Sequence, residues 1–507
     1  MQYFNWEKML SASAHGLSVA GLAATRPTGS PETAPIVVDL DGTLIHTDML
    51  HESALRVARD HPTQLLRMPF WLAAGKAVLK SRLAADTAFD AASLPYNTDL
   101  VHWLREQKAA GRTLILCTAS DAAIAAPIAT HLGIFDEVMA SNGSVNLAGR
   151  NKAAALVARF GERGFDYAGN SRADLLVWRH ARRAVVVNAG TRLQREAARL
   201  VEVEKEFPRA KIGVSAVRRV LRVHQWLKNL LLFIPLLAGH EFGMAQSWYA
   251  LALAFLSFSL CASTVYIAND LLDLESDRTH PRKRHRPFAS GLVPAWMGVL
   301  AAPFLLLASV LLGLLVGQDF MLWLGVYFVI TCAYSWGLKR LMLVDCLTLA
   351  VLYTLRIIAG AAAAELPLSF WLLAFAVFLF LSLAYVKRYA ELQVQILQDK
   401  EKAHGRGYYT SDAPLVQMLG VTSGYASVVV LALYLNSDAV VRLYRMPEVV
   451  WGAVPVMLYW VSAMWMQAHR GLMHDDPLVF AVKDKGSLLA GLAFAAVVGI
   501  GAYGLPW

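Results

Sequence analysis

Residues 265–291 read VYIANDLLDLESDRTHPRKRHRPFASG and concentrate side chains that could do chemistry. Asn269, Asp273 and Asp277 recur at i, i+4 and i+8, which puts them on one helix face with Asp270 beside them. Converging carboxylates repel unless a cation sits between them. Oxygen ligands with no Cys or His among them favour Mg²⁺, held by a few carboxylates and by substrate phosphates. A basic run follows at once: Arg278, His280, Arg282, Lys283, Arg284, His285 and Arg286. Acids that hold a metal, then cations that hold phosphate oxygens, are what a diphosphate-handling site needs. A positive loop flanking a membrane helix would explain the Arg and Lys. It would not explain four polar side chains closing an apolar run, where each charge costs about 2.5–3.5 kcal/mol.

A second constellation lies near the other end. Pro35 to Asp39 (PIVVD) reads as a short buried strand, and it runs into Asp39-Leu40-Asp41-Gly42-Thr43-Leu44. Two Asp one residue apart after a strand, then Gly for a tight turn, suit phosphoryl chemistry. One carboxylate can attack phosphorus while the other protonates the leaving alcohol.

The totals say what must position these groups. The chain has 507 residues, enough for two or more domains, and is 56% hydrophobic and 17% charged. Soluble chains average about 45–50% apolar and 25% charged, so composition alone indicates a membrane protein. The excess is uneven: residues 1–222 look soluble, and 223–507 carry long apolar runs. The net charge of +9 sits at the ends of those runs, not in a basic stripe interleaved with aromatics. That favours anionic lipid and phosphorylated substrates and excludes nucleic acid. Cys117, Cys261, Cys332 and Cys346 form no C-x-x-C pair, so neither disulfides nor zinc are expected.

Taken in order, residues 1–34 are a flexible lead-in without the apolar core of a signal peptide. Strands are expected at 35–39, 113–117, 165–168 and 184–188, alternating with helices. That pattern is an α/β domain over 35–200 with a parallel sheet and its site at the strands' carboxyl ends. A helical cap fills about 49–95, and Met68-Pro69-Phe70-Trp71-Leu72 within it reads as cap core or as a lipid contact. Residues 192–222 read as charged and helical, with 201–222 a juxtamembrane linker. Nine spans follow, near 224–239, 247–268, 293–315, 320–337, 343–363, 368–386, 414–435, 449–468 and 487–505, making an all-α nine-helix transmembrane bundle. The first and fourth are short. Alternate loops carry the cations, Lys339, Arg340, Lys387, Arg388, Lys400 and Lys402 among them, against only Arg442 and Arg445 opposite. The positive-inside rule puts the N-terminal domain and the motif loops in the cytoplasm and the C-terminus outside. Further polar groups gather on that side: Tyr334, Lys339, Asp345, and Arg356 inside a span three turns on. Asp475, Asp476 and Asp484 in the last such loop are a weaker signal.

The N-D-x-x-D-x-x-x-D run with R-x-H-P-x-K-x-x-R-P resembles the first aspartate-rich motif of the UbiA superfamily of intramembrane prenyltransferases. HPRKRHRPFASG is most similar to its polyprenyl-phosphate phosphoribosyltransferase branch. D-x-D-G-T-L resembles motif I of the haloacid dehalogenase (HAD) phosphatases. Together these imply an N-terminal HAD-like phosphatase fused to a UbiA-type membrane transferase of a bacterial inner membrane. The HAD likeness implies that Asp39 and Asp41 are catalytic and Mg²⁺-associated. It further implies that Thr118 and Lys152 bind the phosphoryl group and that Asn170 and Asp174 hold Mg²⁺. The family pattern there is G-D-x-x-x-D, and Asn170 stands in place of its first Asp. The UbiA likeness implies that Asp270, Asp273 and Asp277 act through Mg²⁺. Asn269, Arg278, Lys283, Arg286, Tyr334, Lys339, Asp345, Arg356, Lys387 and Arg388 would bind substrate. The family's second aspartate motif, often D-x-x-x-D, is reduced here to Asp345, as in the phosphoribosyl branch. Glu391 and Arg406-Gly407-Tyr408 also resemble that branch. The implied substrates are phosphoribosyl diphosphate and polyprenyl phosphate, with removal of the 5-phosphate by the HAD half. Prenyl transfer to an aromatic or other acceptor is the alternative reaction, and a non-catalytic lipid-binding scaffold the alternative class. A homo-oligomer is compatible with either.

Overall fold

The computed structural model describes residues 34–85, 89–142, 145–399, 406–437, 443–473 and 476–504. The expected lead-in, apart from residue 34, lies outside these residues, as do Lys400, Lys402, Arg442 and Asp475. The chain divides into two compact units, Met1–Ala210 and Lys211–Trp507.

The first unit is built on a six-stranded parallel sheet in the order β3-β2-β1-β4-β5-β6. β1 (Ile36–Val38) is all β-branched and wholly buried. Ile36 and Val38 face one core and Val37 the other, as a parallel strand covered on both faces requires. β2 (Leu114–Asp121) and β4 (Asp166–Gly169) flank it, with Ile36 opposite Leu114 on one side and Asp166 on the other. The order reverses between β1 and β4, and such a switch point opens a crevice at the strands' carboxyl ends. β3 (Glu137–Ser141), β5 (Arg183–Val187) and β6 (Glu202–Phe207) complete the sheet. The insert after β1 holds α1 (Met49–Asp60), α2 (Met68–Ala73) and α3 (Lys76–Ala85). α1 starts where Asp48 caps the Leu50 amide. α4 (Thr98–Ala109), α5 (Ala122–Leu132), α6 (Arg150–Phe160), α7 (Leu175–Trp178) and α8 (Thr191–Leu200) complete the unit.

The sheet runs past residue 200, which corrects the helical reading of 192–222. β6 reads EVEKEF and pairs parallel with β5, with a register shift between Val203 and Lys205. That irregularity puts Val203 against one core and Phe207 in the other. Its charges and broken alternation hide an edge strand from a period-two reading.

The second unit is helical: α9 (Val214–Val220), α10 (Ile234–Ala238), α11 (Ala245–Leu272), α12 (Leu274–Thr279), α13 (Ala295–Val316), α14 (Gln318–Trp336), α15 (Val344–Ala363), α16 (Phe370–Ile396) and α17 (Ala413–Leu435), followed by Pro447–Val450, Ala453–His469, Pro477–Lys483 and Lys485–Tyr503. Among the described residues, eight helices are long and apolar enough to cross a membrane, against nine spans expected. The difference is the first run. Val223–Ala238 is a 3-10 stretch passing into α10, too short by that measure. It lies against α15 at Gly360, where a Cβ would stand 2.0 Å from the Leu232 carbonyl oxygen. The spans are apolar on their outer faces too: Phe304, Leu307, Leu311 and Leu315 of α13 are all exposed. Exposed apolar faces on helices of span length make this a multi-pass membrane domain.

Candidate functional sites

The site of the first unit lies where β1, β2 and β4 end. Asp39 follows β1 directly, and Gly42 turns the chain with φ +74°, a conformation only glycine adopts freely. That turn also meets Asn170, whose Nδ2 would stand 2.0 Å from a Cβ at Gly42. Lys152, in the first turn of α6, donates from Nζ to Asp39 Oδ1 at 2.7 Å and to the Tyr167 hydroxyl at 2.9 Å. Tyr167 in turn donates to Asp174 Oδ1 at 2.8 Å. Asp41 takes a different environment, accepting the Met49 amide at 2.8 Å and the Ser120 hydroxyl at 2.7 Å. Thr118 is buried beside it and accepts the Ser120 amide at 2.9 Å.

Burial dominates the acidity of both Asp39 and Asp41. It pushes Asp39 up to about 6; Lys152 lowers that value and Asp174 adds to it. It pushes Asp41 up to about 7, with the charges of Asp48 and Asp39 reinforcing it. Burial works against the Lys152 ammonium, but Asp39 and Asp174 hold it above the usual lysine range. The arrangement keeps a charged lysine on Asp39 and gives Asp41 a proton to exchange near neutrality.

Asp174 anchors the loop that follows β4. Its Oδ2 accepts the Asn170 amide at 3.0 Å and the Ser171 amide and hydroxyl at 2.8 Å each. With Tyr167 on Oδ1, both oxygens are engaged in shaping the loop that carries Asn170. Tyr167 itself was missed, because in the strand 165–168 it reads as one more core residue. Asn188 was missed as well; its Nδ2 donates to the Gly42 carbonyl at 2.8 Å.

In the second unit, buried charges gather into three groups. The first is at the end of α11. Asp270 accepts from Arg222 and, at 3.0 Å, from Arg286 Nη1, which also reaches Asp277 at 2.6 Å. Asn269 points away, donating to the Ser335 hydroxyl at 2.9 Å. This corrects the expected face of Asn269, Asp273 and Asp277. At about 3.6 residues per turn, i+8 drifts about 80° round a helix while i+7 returns to within about 20°. The helix also breaks at Asp273, which caps α11. Among the described residues no three acidic, His or Cys side chains gather as a metal cluster. Asp273 and Lys283 both act electrostatically on Lys339, and Lys283 also acts on Asp277. Burial pushes Asp277 up, against the opposing pull of Arg286. Arg278 instead ties the loop, its Nε donating to the Ala289 carbonyl at 2.9 Å.

The second group surrounds Asp345. Arg388 Nη2 stands 2.5 Å from its Oδ2, Arg406 Nη1 3.2 Å from its Oδ1, and the Tyr334 hydroxyl donates at 2.9 Å. Arg388 also pairs with Glu391. The third joins segments far apart in sequence: Lys228 and Lys387 reach Asp476 Oδ2 at 2.7 and 3.2 Å, and the Tyr353 hydroxyl donates to Oδ1 at 3.2 Å. Arg356 stands beside this group. Its Nε donates to Asn229 Oδ1 at 2.9 Å and its Nη2 to the Tyr327 hydroxyl at 3.1 Å. Its guanidinium lies 4.8 Å from the Tyr327 ring centroid and 5.7 Å from that of Tyr353. Arg222, Lys228, Asn229 and Tyr353 were missed. A Lys and an Asn inside the short first apolar run were the available signal.

Comparison with known proteins agrees with both halves. The UbiA prenyltransferase family matches residues 232–481, and haloacid dehalogenase-like hydrolases match residues 36–179. The chain is 39% identical over 470 residues to the uncharacterized protein y4nM of Sinorhizobium fredii, covering 91% of this chain and 90% of that one. It is 38% identical over 288 residues to nodulation protein NoeC of Azorhizobium caulinodans, covering 56% of this chain and 93% of that one. It is 33% identical over 298 residues to decaprenyl-phosphate phosphoribosyltransferase of Mycolicibacterium smegmatis, covering 57% of this chain and 93% of that one.

Proposed function

The chain belongs to the UbiA prenyltransferase family, with a haloacid dehalogenase-like domain ahead of its membrane domain, and from that premise we propose a bifunctional enzyme of polyprenyl-phosphoryl sugar synthesis. The membrane unit transfers 5-phosphoribose from phosphoribosyl diphosphate to a polyprenyl phosphate, and the first unit then removes the 5-phosphate. The observation that supports this most is the second charge group. Where a second acidic motif would serve another metal, a single carboxylate, Asp345, is surrounded by Arg388, Arg406 and Tyr334. Arg388 and Arg406 balance Asp345 and Glu391, and Lys283 and Lys387, which also act on Glu391, add the positive charge that suits phosphate oxygens.

In the transfer step the lipid phosphate oxygen attacks the anomeric carbon, and the bond to diphosphate breaks with its electron pair leaving on the diphosphate. Lys283, Arg286, Lys339 and the Arg388 and Arg406 pair neutralise phosphate charge, and Tyr334 and Asp345 keep the arginines in place. Arg356 and Lys387, fixed by Asn229 and Asp476, add positive charge nearby. Catalysis is positioning plus charge stabilisation. Asp270, Asp273 and Asp277 offer the hard oxygen donors that Mg²⁺ takes, in place of the Arg222 and Arg286 contacts that Asp270 and Asp277 make here, as do Asp39, Asp41 and Asn170 in the first unit. Bound there, the ion would neutralise diphosphate in one unit and the phosphoryl group in the other.

In the hydrolytic step Asp39 attacks phosphorus while Asp41 gives its proton to the departing ribose oxygen. Asp41 then takes a proton from the water that releases phosphate from Asp39. Thr118 and Lys152 bind the phosphoryl oxygens, and Asp174 holds the loop of Asn170. Loop charge supports placing both activities on the cytoplasmic face of a bacterial inner membrane, with Val223–Ala238 and α11 crossing as a pair so that Arg222 meets Asp270.

The test uses purified protein with labelled phosphoribosyl diphosphate and a polyprenyl phosphate. Wild type yields labelled lipid-linked ribose, and Asp39→Asn yields the 5-phosphorylated lipid. Absence of any labelled lipid, with a prenylated acceptor formed from a prenyl diphosphate, overturns the proposal.

A further inference from the structure

The insert of the first unit carries an apolar surface that the proposed chemistry does not use. Pro62–Arg67 forms a 3-10 turn and Met68–Ala73 forms α2, and neither buries a single residue. Leu66 is 78% exposed, Phe70 75% and Leu72 51%. Single exposed apolar residues are ordinary, but these are clustered. Of the large hydrophobics exposed in the described part of this unit, Leu65, Leu66, Phe70 and Leu72 fall within eight residues, and only Val138 and Val145 lie elsewhere. The segment is not loose. Met68 and Trp71 pack inward on Val57, Leu79 and Leu83, so the helix has one anchored face and one bare one.

Charge indicates what covers the bare face. From residue 61 to 85 the sequence has Arg67, Lys76, Lys80 and Arg82 and no Asp or Glu. Arg67, Lys76 and Arg82 are exposed. Short helices with bulky apolar side chains amid cations alone are the surface that lies in the interface of an anionic bilayer. A bilayer is always at hand, because eight helices of the same chain are built to cross one. The insert also borders the hydrolytic site: Lys80 of α3 donates to the Ala119 carbonyl at 2.7 Å, next to Ser120, which holds Asp41.

We infer that the insert docks on an anionic bilayer surface through Leu66, Phe70 and Leu72, presenting the Asp39 site to a phosphate ester carried by lipid. The docking stands on the patch itself; the nature of the ester rests on the phosphatase reading above. An apolar patch of this kind serves an enzyme whose substrate stays in the membrane.

The experiment uses the full chain in nanodiscs of phosphatidylcholine with phosphatidylglycerol, in a Cys332→Ser background. A spin label is placed by Leu66→Cys or Phe70→Cys, with His102→Cys on α4 as the aqueous control. Collisions with oxygen, which partitions into lipid, are compared with those of a water-soluble nickel chelate. The expected result is a ratio several-fold higher at 66 and 70 than at 102, falling towards the control when Arg67→Glu and Lys76→Glu are added. Labels open to the nickel chelate overturn the inference. Labels shielded from both reagents also overturn it, because a protein then covers the patch. A second measurement uses Leu66→Asp with Phe70→Asp. Turnover of the lipid-linked 5-phosphate should fall several-fold while p-nitrophenyl phosphate hydrolysis is unchanged; equal turnover of the lipid overturns the functional half. If the labels enter lipid but wild type never removes the 5-phosphate, docking stands and the phosphatase reading fails.

Discussion

In the first unit Asp39 faces one cation, Lys152, and Asp41 is held by a hydroxyl and a backbone amide. In the second, Asp345 is held by two guanidiniums and Asp476 by two lysines. The same side chain is buried in both places, with opposite results. Burial pushes Asp39 and Asp41 up towards neutrality. Burial works the same way on Asp476, but Lys228 and Lys387 hold it well below the usual carboxylate range. A site that moves protons needs carboxylates poised to titrate. A site that grips phosphates needs charges that never titrate, and fixed acids to hold the cations apart.

The sharpest way to break this comparison is to remove one carboxylate of each kind. Asp39→Asn deletes the proposed nucleophile, and 5-phosphate removal should fall by at least about 10³-fold with transfer of ribose unaffected, as read from the lipid product by mass spectrometry. Asp41→Asn should cost about 10²–10⁴-fold, the usual range for a proton donor. Arg388→Ala should act on stability first. It removes the nearer of the two guanidiniums on fully buried Asp345 and the partner of Glu391, at a cost of up to about 3–5 kcal/mol. Thermal unfolding in detergent should show the loss. The double change Arg388→Met with Asp345→Leu should recover part of it while leaving transfer inactive.

Changing pH separates the units by a smaller margin. Asp39 must be ionised to attack and Asp41 protonated to donate. Hydrolysis should therefore decline below about pH 6 and above about pH 7, approaching tenfold per unit on each side. Transfer should be flat over that interval. Stability follows the same groups. Folding raises both carboxyls above their ordinary values, so the folded unit binds more protons than the unfolded one between about pH 4 and 7. The first unit should therefore gain stability as pH falls from 7 towards 4, and lose it on the return. Melting curves across that range check the sign.

What the sequence disclosed tracks how local each feature is. The turn Asp39–Leu44 and the apolar spans are carried by neighbouring residues, and both could be read directly. Lys152 and Asn170 were legible because motif order supplied the missing distance. Tertiary pairs were not legible. Lys228 and Asp476 stand 248 positions apart, and nothing near either residue announces the other. The faces of the 269–277 run were misjudged because a helix was assumed to continue through Asp273, where it ends. β6 was missed because an irregular register breaks the alternation that marks a strand. Tyr167 has the pattern of a core aromatic, and only its hydroxyl, lying between Lys152 and Asp174, sets it apart.

The finest test concerns Asn170. Its amide lies against Gly42, and the loop that carries it is held by Asp174. Asn170→Asp restores the acid of the related motif and adds a third carboxylate near Asp39 and Asp174. Without a metal the added charge disfavours ionised Asp39, so the hydrolytic pH optimum should move upward by a fraction of a unit and the unit should melt slightly earlier at neutral pH. With Mg²⁺ the sign reverses, because affinity at such sites follows the charge count of the ligands, and binding should tighten on the order of tenfold. Calorimetric titration of Mg²⁺ into the variant and the wild type reads this without any turnover. Equal affinities would mean that residue 170 does not touch the ion, and the contrast between a tunable site and a fixed one would then rest on Asp39 and Asp41 alone.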